Sequence, residues 1–183
     1  MERLYLKLIG LEDKSRVLDY IKEMVANGSN IDGLWCEDSS NYEEMISRLK
    51  VYESIKYTSY DQEIPCNYQY LLIRESDNKL VGVVSIRPYL TRILDEGYGG
   101  NIGYSIRPSE RRKGYAKEGL RLSLEKCKEM NVRKAIVCCN KDNIGSRKVI
   151  LSCNGKLIEE KVKIITEQKY EIDLRCEYEC NRS

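Results

Sequence analysis

The sequence predicts one mixed α/β (α+β) domain over residues 1–183, with a central sheet of about seven strands and about four flanking helices in the order β-α-α-β-β-β-α-β-α-β-β. Three observations carry this. Gly103 to Arg107 (G-Y-S-I-R) is short and rich in strand formers, Pro108 stops it, and Ser109-Glu110 caps a periodic run ending near Asn131, so a strand feeds a helix through a tight turn. Tyr68 to Arg74 (Y-Q-Y-L-L-I-R) and Leu80 to Pro88 (L-V-G-V-V-S-I-R-P) are apolar, β-branched runs separated by the polar stretch Glu75 to Lys79, the pattern of a hairpin. Finally, 183 residues with 42% hydrophobic and 33% charged content suffice for one core and leave no room for a second full domain.

The remaining elements follow in order. Arg3 to Ile9 reads as a first strand, and a helix is expected from Lys14 to Ala26, where Val17, Leu18, Ile21, Met24 and Val25 recur at helical spacing. Asn27-Gly28-Ser29-Asn30 breaks it, and a loop carrying the only tryptophan, Trp35, runs to Ser40. Tyr42 to Ile55 is a second helix, with Met45, Ile46, Leu49 and Tyr52 on one side. After the hairpin, Tyr89 to Glu96 is a short connection with room for one helical turn. The glycine-rich run from Tyr98 to Gly103 tolerates a bulge or a ligand lying against the strand. In the helix from Lys113 to Met130, Ala116, Leu120, Leu124 and Cys127 form a buried stripe. Arg133 to Cys139 is a buried strand, which makes strand, helix and strand a right-handed crossover. A last helix spans Asn143 to Ser152 and stops at Asn154-Gly155, and Lys156 to Ile165 with Lys169 to Arg175 form a closing hairpin.

Charge and cysteine usage narrow the class. The net charge of +2 implies neither a nucleic-acid partner nor a membrane surface, and no apolar run approaches the roughly 20 residues that span a bilayer. Between Arg107 and Lys134, however, ten basic residues stand against four acidic ones, a local excess of six that suits a polyanionic ligand. Eight cysteines form no C-x-x-C pair and there is no histidine, so no metal site is expected. The start MERLYLKL lacks the apolar core of a signal peptide, which makes the expected location cytoplasmic and the thiols reduced packing residues. Either a monomer or a homodimer is compatible with the composition.

The chemistry centres on the turn from Arg111 to Ala116. Arg111, Arg112 and Lys113 precede Gly114, which lets the backbone approach a ligand; main-chain N–H groups, a helix N-terminus and three cations converge on a site for an anion, most simply a phosphate. The pattern R-x-x-G-x-A (Arg111, Gly114, Ala116) between strand and helix resembles the acyl-CoA pyrophosphate loop of the GNAT superfamily of N-acetyltransferases. The run from Asn143 to Ile150 looks like that family's second signature, an Asn followed three residues later by Ala or Ser, here Ser146. The run GYSIRPSERRKGYAKEGLRLSLE is also similar to the central motif of a bacterial branch of predicted acetyltransferases.

This resemblance covers most of the chain, and it implies an N-acetyltransferase moving acetyl from acetyl-CoA to a primary amine of a small molecule or peptide by direct attack in a ternary complex. It implies that acyl-CoA enters between splayed fourth and fifth strands, pairing with the backbone of Tyr104, Ser105 and Ile106. The diphosphate would rest on the N–H groups from Arg112 through Lys113, Gly114 and Tyr115 to Ala116, with Arg111, Arg112 or Lys113 assisting and Asn143 and Ser146 facing the cofactor arm. An N–H near Ser105 would polarise the thioester carbonyl. The family tyrosine that protonates the leaving thiolate falls at Ile150 in this chain, which leaves Tyr104 or Tyr115 as the substitute acid, or a CoA thiolate that departs without a dedicated one. Without histidine, Glu96 is the first candidate for the base and Asp95 the second. Two other readings differ in class: a non-catalytic acyl-CoA-binding domain of the same fold, and a nucleotide-binding protein, against which the absence of G-x-x-x-x-G-K-[ST] counts. Acceptor specificity falls to the loops around Trp35, Tyr57 to Cys66 and Tyr89 to Glu96.

Overall fold

The computed structural model describes residues 2–35, 41–97, 99–162 and 166–175. Seven strands, β1 (Leu4–Leu8), β2 (Tyr68–Arg74), β3 (Lys79–Ile86), β4 (Ile102–Ile106), β5 (Lys134–Asn140), β6 (Lys156–Val162) and β7 (Thr166–Asp173), alternate with five helices in the expected order. The helices are α1 (Lys14–Ala26), α2 (Tyr42–Ser54), the single turn α3 (Arg92–Glu96), α4 (Tyr115–Glu129) and α5 (Ile144–Ser152). Short 3-10 turns at Leu11–Asp13 and Pro108–Glu110 lead into α1 and towards α4.

The seven strands divide into two antiparallel sheets, β1-β2-β3-β4 and β5-β7-β6, parting between the fourth and fifth strands, where a mixed central sheet splayed at that place was expected. The expected crossover from β4 to β5 joins strands that meet at one end only. Asn101 makes the join: its N–H donates to Ile136 O at 2.8 Å, and its side-chain Oδ1 accepts from Ile136 N at 2.8 Å. Gly100 permits this approach, because a Cβ there would stand 2.5 Å from Ile136 O. Beyond that pin the two strands share no ladder among the described residues.

β2 and β3 are covered on both faces, which is why their sequences read as near-continuous apolar runs. On one face Leu71, Ile73 and Val83 pack with Val17, Tyr20 and Met24 of α1 and Met45, Ile46 and Leu49 of α2. Tyr70, Val84 and Ile86 turn the other way, onto Leu120, Leu124 and Cys127 of α4 and the second sheet's Ala135, Val137, Tyr170 and Ile172. Tyr20 is buried beside Val17 and Met24, whereas Val25, which helical spacing assigned to the core, is 66% exposed. Cys66, Cys127, Cys139 and Cys153 are buried and Cys138 is half-buried, none of them in a disulfide, whereas Cys36, Cys176 and Cys180 lie outside the described residues. Asn154 adopts the left-handed conformation (φ 59°) that ends α5 as expected.

One ion-pair cluster ties the β2–β3 hairpin to the turn before α4. The carboxylate of Glu110, only 3% exposed, accepts from Arg74 Nη1 at 2.8 Å, Lys79 Nζ at 2.7 Å and Lys113 Nζ at 2.8 Å. Arg74 Nη1 also donates to the hydroxyl of Tyr115, the first residue of α4, at 3.0 Å. Burial raises the Glu110 carboxyl pKa, but the bonds from Lys113, Lys79 and Arg74 outweigh it and hold the group at about 2, below its ordinary 4.5. Since the folded pKa is depressed, this stabilisation is complete above about pH 4.5 and is lost as pH falls towards 2. Glu110→Gln should therefore cost about 3 kcal/mol at pH 7, the scale of a broken buried pair, lowering Tm by roughly 6–12 °C. Thermal denaturation between pH 2 and 7 checks this. The wild-type Tm should fall on acidification across that window while the variant's stays flatter, and parallel curves would remove Glu110 from the account.

Candidate active site

Where β4 and β5 part, a cavity of about 1140 Å³ opens along the outer edge of β4. The loop Ser29 to Trp35, the turn before α4, and the N-terminal half of α5 form its other walls. Arg87 N donates to Asn101 O at 2.8 Å and Arg107 N to Val81 O at 2.9 Å. Hydrogen bonding alternates along an antiparallel ladder, so in the intervening register Gly103 and Ser105 turn their main-chain groups to β3. Those of Ile102, Tyr104 and Ile106 face the cavity. This corrects one expectation: Ser105 is opposite Val83 and has no main-chain group on the open edge. Its hydroxyl instead donates to Asp32 O at 2.5 Å and meets the Tyr20 hydroxyl at 2.8 Å.

At one end of this edge is the Arg111–Ala116 turn. Arg112 (φ 64°) and Gly114 (φ 85°) are both left-handed, and Gly114 is the N-cap of α4, so successive N–H groups and the positive end of a 15-residue helix border the cavity. Of the three cations expected to assist, two are engaged elsewhere. Arg111 donates from Nε to Ile106 O at 3.0 Å and from Nη2 to Ser29 Oγ at 2.9 Å, bracing the end of β4 against the loop after α1. Lys113 belongs to the Glu110 cluster. Arg112 has no hydrogen-bond or ion-pair partner among the described residues and lines the cavity, as do Lys117 of α4 and Lys148 of α5, which the motif did not single out. Both lysines lie one helical turn inside a helix whose start was legible, a signal visible only once the two helix ends are known to face one space.

The middle of the cavity is bridged by Tyr104, whose hydroxyl lies 2.8 Å from Ser146 Oγ across the gap to α5. Burial pushes the Tyr104 pKa well above its ordinary value, so the phenol keeps its proton. Asn143 caps α5, its Oδ1 accepting from Ser146 N at 3.0 Å, while Ile150 is wholly buried in the core and offers nothing to the cavity. Tyr115 lines the space, but its hydroxyl is held by Arg74.

The other expected residues are not brought together. Glu96 is exposed and outside the cavity lining, because α3 presents Leu94 to the cavity and a residue two positions on is turned about 200° around a helix. Asp95 is ion-paired with Lys169 and accepts from the Tyr60 hydroxyl at 2.8 Å. The carboxylate that does border the cavity without an ion pair among the described residues is Asp32, in the turn before Trp35, and desolvation raises its pKa. Its only trace in the sequence is the turn-forming dipeptide Asp32-Gly33. Cys138 also lines the cavity; its thiol donates to Gly99 O at 2.9 Å, and burial pushes its pKa up to about 11.

The profile of the acetyltransferase (GNAT) domain matches residues 3–156. No curated protein matches. Among solved structures, the chain is similar to the ribosomal-protein-S5-alanine acetyltransferase from Vibrio fischeri (TM-score 0.68, 13% identity, 94% of each chain covered). It is also similar to the spermidine/spermine N-acetyltransferase SpeG from Vibrio cholerae (TM-score 0.66, 14% identity, 94% of each chain). A third is yncA from Salmonella typhimurium, solved with its cofactor acetyl-CoA (TM-score 0.62, 11% identity, 96% of each chain).

If the turn before α4 holds the CoA diphosphate, Gly114→Val should weaken CoA binding at least roughly ten-fold, since a β-branched residue resists the left-handed conformation by about 1–2 kcal/mol and moves the amides. Lys117→Ala and Lys148→Ala should each weaken it a few-fold, more at low salt, whereas Arg111→Ala should act chiefly on Tm. Calorimetric titration with CoA decides; unchanged affinity in a folded Gly114→Val protein would contradict the assignment.

Proposed function

Because the chain belongs to the acetyltransferase (GNAT) family, we propose that it moves the acetyl group of acetyl-CoA to a primary amine of a small molecule or peptide, by direct attack in a ternary complex. One observation carries this reading: a single cavity runs from the helix N-terminus of α4 along the unpaired edge of β4. Its donors fit an acyl-CoA in kind. The amides at Gly114 to Ala116 and the cations Arg112, Lys117 and Lys148 match phosphates, while the main-chain groups of Tyr104 and the N–H of Ile106 on the open edge match an amide-bearing arm that joins the sheet as an extra strand.

Transfer requires a base for the acceptor ammonium and a proton for the departing sulfur. Asp32, on the cavity wall with a raised pKa, takes the ammonium proton; Glu96 and Asp95, outside the lining and ion-paired respectively, do not. The neutral amine attacks the thioester carbonyl carbon, the C–S bond breaks with its electron pair on sulfur, and the buried, protonated Tyr104 hydroxyl supplies the proton. Ser146, 2.8 Å from that hydroxyl, holds it in place. A covalent acyl-enzyme is disfavoured: Cys138 and Cys139 both line the cavity, burial raises both thiol pKa values, that of Cys138 to about 11, and the chain has no histidine to activate either. The acceptors in the neighbours' names, a protein alanine and spermidine, are both amines, which supports the class of nucleophile and leaves its identity open.

Steady-state kinetics with acetyl-CoA and a panel of amines tests the assignment. Intersecting double-reciprocal lines are expected, with turnover rising with pH as the ammonium is deprotonated. Asp32→Asn and Tyr104→Phe should each lower kcat by roughly 10²-fold with the acetyl-CoA KM little changed. Cys138→Ala should stay within a few-fold of wild type. Parallel lines, or loss of activity in folded Cys138→Ala, would overturn direct transfer.

A further inference from the structure

Resting on the acetyltransferase reading, we propose that Arg87 binds a carboxylate of the acceptor, so that the substrate is an amine with a carboxylate close to it, an amino acid or a short peptide with a free carboxyl group. Arg87 directly follows β3 and is only 6% exposed, yet it lines the cavity. Its neighbours fix it from several sides. Its N–H donates to Asn101 O and its carbonyl accepts from Asn101 Nδ2, each at 2.8 Å, Nε donates to Gly100 O at 2.6 Å, and the guanidinium carbon stands 5.7 Å from the centre of the Trp35 ring. Among the described residues, no carboxylate pairs with it. The other well-buried arginines contrast with this: Arg107 meets Asp19 at 2.7 Å and Glu23 at 3.4 Å, and Arg74 meets Glu110 at 2.8 Å and Asp77 at 2.7 Å.

An unpaired buried cation is costly, several kcal/mol after relaxation, and desolvation accordingly pulls the Arg87 pKa down to about 10, which still leaves it charged at neutral pH. A ligand anion removes that penalty. The anion is not a CoA phosphate: Arg87 is opposite Asn101, and the phosphate turn follows Ile106 at the far end of β4, roughly 17 Å away at 3.4 Å per residue. With Nε bound to Gly100 O, the two Nη groups form a planar fork, the geometry that suits a carboxylate.

Two further groups converge beside the fork. A Cβ placed on Gly103 would lie 3.4 Å from both Arg87 Nη2 and Gly33 N, and 3.0 Å from Ser85 Oγ. Gly103 therefore keeps open the space that the three share. Ser85 Oγ is buried without a hydrogen-bond partner, a second unmet polar group at the same place. Gly33 follows Asp32, so a cation-binding carboxylate and an anion-binding guanidinium border one end of the cavity, matching an ammonium and a carboxylate on one small molecule.

The sole tryptophan stacks on Arg87 and reports on it. CoA-loaded protein is titrated with α-amino acids and dipeptides, each against its C-terminal amide, with O-phosphoethanolamine and spermidine alongside, following Trp35 fluorescence, and acetyl transfer to the same compounds is followed with acetyl-CoA in place of CoA. At least one free acid should bind about 10²-fold tighter than its amide, the scale of removing one partner from a buried charge pair. In Arg87→Met that preference should shrink to within three-fold with CoA affinity unchanged, and Arg87→Lys should keep part of it. Acids and amides binding alike in the wild type, a preference surviving Arg87→Met, or a stronger response to phosphoethanolamine or spermidine would each overturn the proposal. The wild-type comparison stands even if a variant does not fold. Acid-selective binding without acetyl transfer would overturn the transferase reading alone, whereas transfer without acid selectivity would overturn only the role of Arg87.

Discussion

The arrangement depends on an unfinished hydrogen-bond ladder. β4 is paired on one side with β3 and pinned at its start to β5 by Asn101, and from there its second row of main-chain groups is left open to the cavity as far as the Ile106 carbonyl, which Arg111 holds. An open strand edge is a liability in a protein surface, and here it is walled in by α5 on one side and the Ser29 to Trp35 loop on the other. That enclosure turns a liability into a slot that an extended, amide-bearing molecule can complete.

Both ends of the slot are held by buried polar clusters. At the α4 end, Glu110 gathers Arg74, Lys79 and Lys113 and so ties the hairpin of β2 and β3 to the start of α4. At the Trp35 end, the buried side chain of Gln69 donates to Gly33 O and to Val84 O while its Oε1 accepts from Trp35 N at 3.1 Å, fastening the loop to the sheet. Each cluster satisfies its own members, which makes the loops they carry rigid supports. The cavity's charges divide accordingly. Arg111 and Lys113 are consumed by structure; Arg112, Lys117, Lys148, Arg87 and Asp32 carry no ion pair among the described residues and are available to ligands.

Much of this was legible in the sequence because it is written in local terms. Apolar runs that give strand order, helical spacing in α1, α2 and α4, and the close backbone approach that Gly114 permits need only a few neighbouring residues to be recognised. What escaped depends on distant partners. That Arg111 braces Ile106 O and Ser29, or that Lys113 neutralises Glu110, follows from where a 3-10 turn meets a hairpin over 30 residues away in the chain. Asp32 escaped for the same reason: proximity in sequence to β4 pointed to Glu96 and Asp95, but the five-residue α3 turns Leu94 to the cavity and leaves Glu96 outside its lining, while the turn after α1 folds back over Ser105 and brings Asp32 to the wall. Arg87 looked like the polar end of a strand, and its isolation from every described carboxylate is a property of the packed molecule only.

The central claim, that the free edge of β4 receives the acyl-CoA arm as an added strand, is tested most directly by amide hydrogen exchange resolved to single residues, with and without CoA. Gly103 and Ser105, bonded to β3, should be protected in both states. Tyr104 and Ile106 should exchange quickly in the free protein and slow by at least roughly ten-fold when CoA is bound, as fresh ladder bonds form. Protection confined to the turn at Gly114, with Tyr104 and Ile106 exchanging as before, would contradict it.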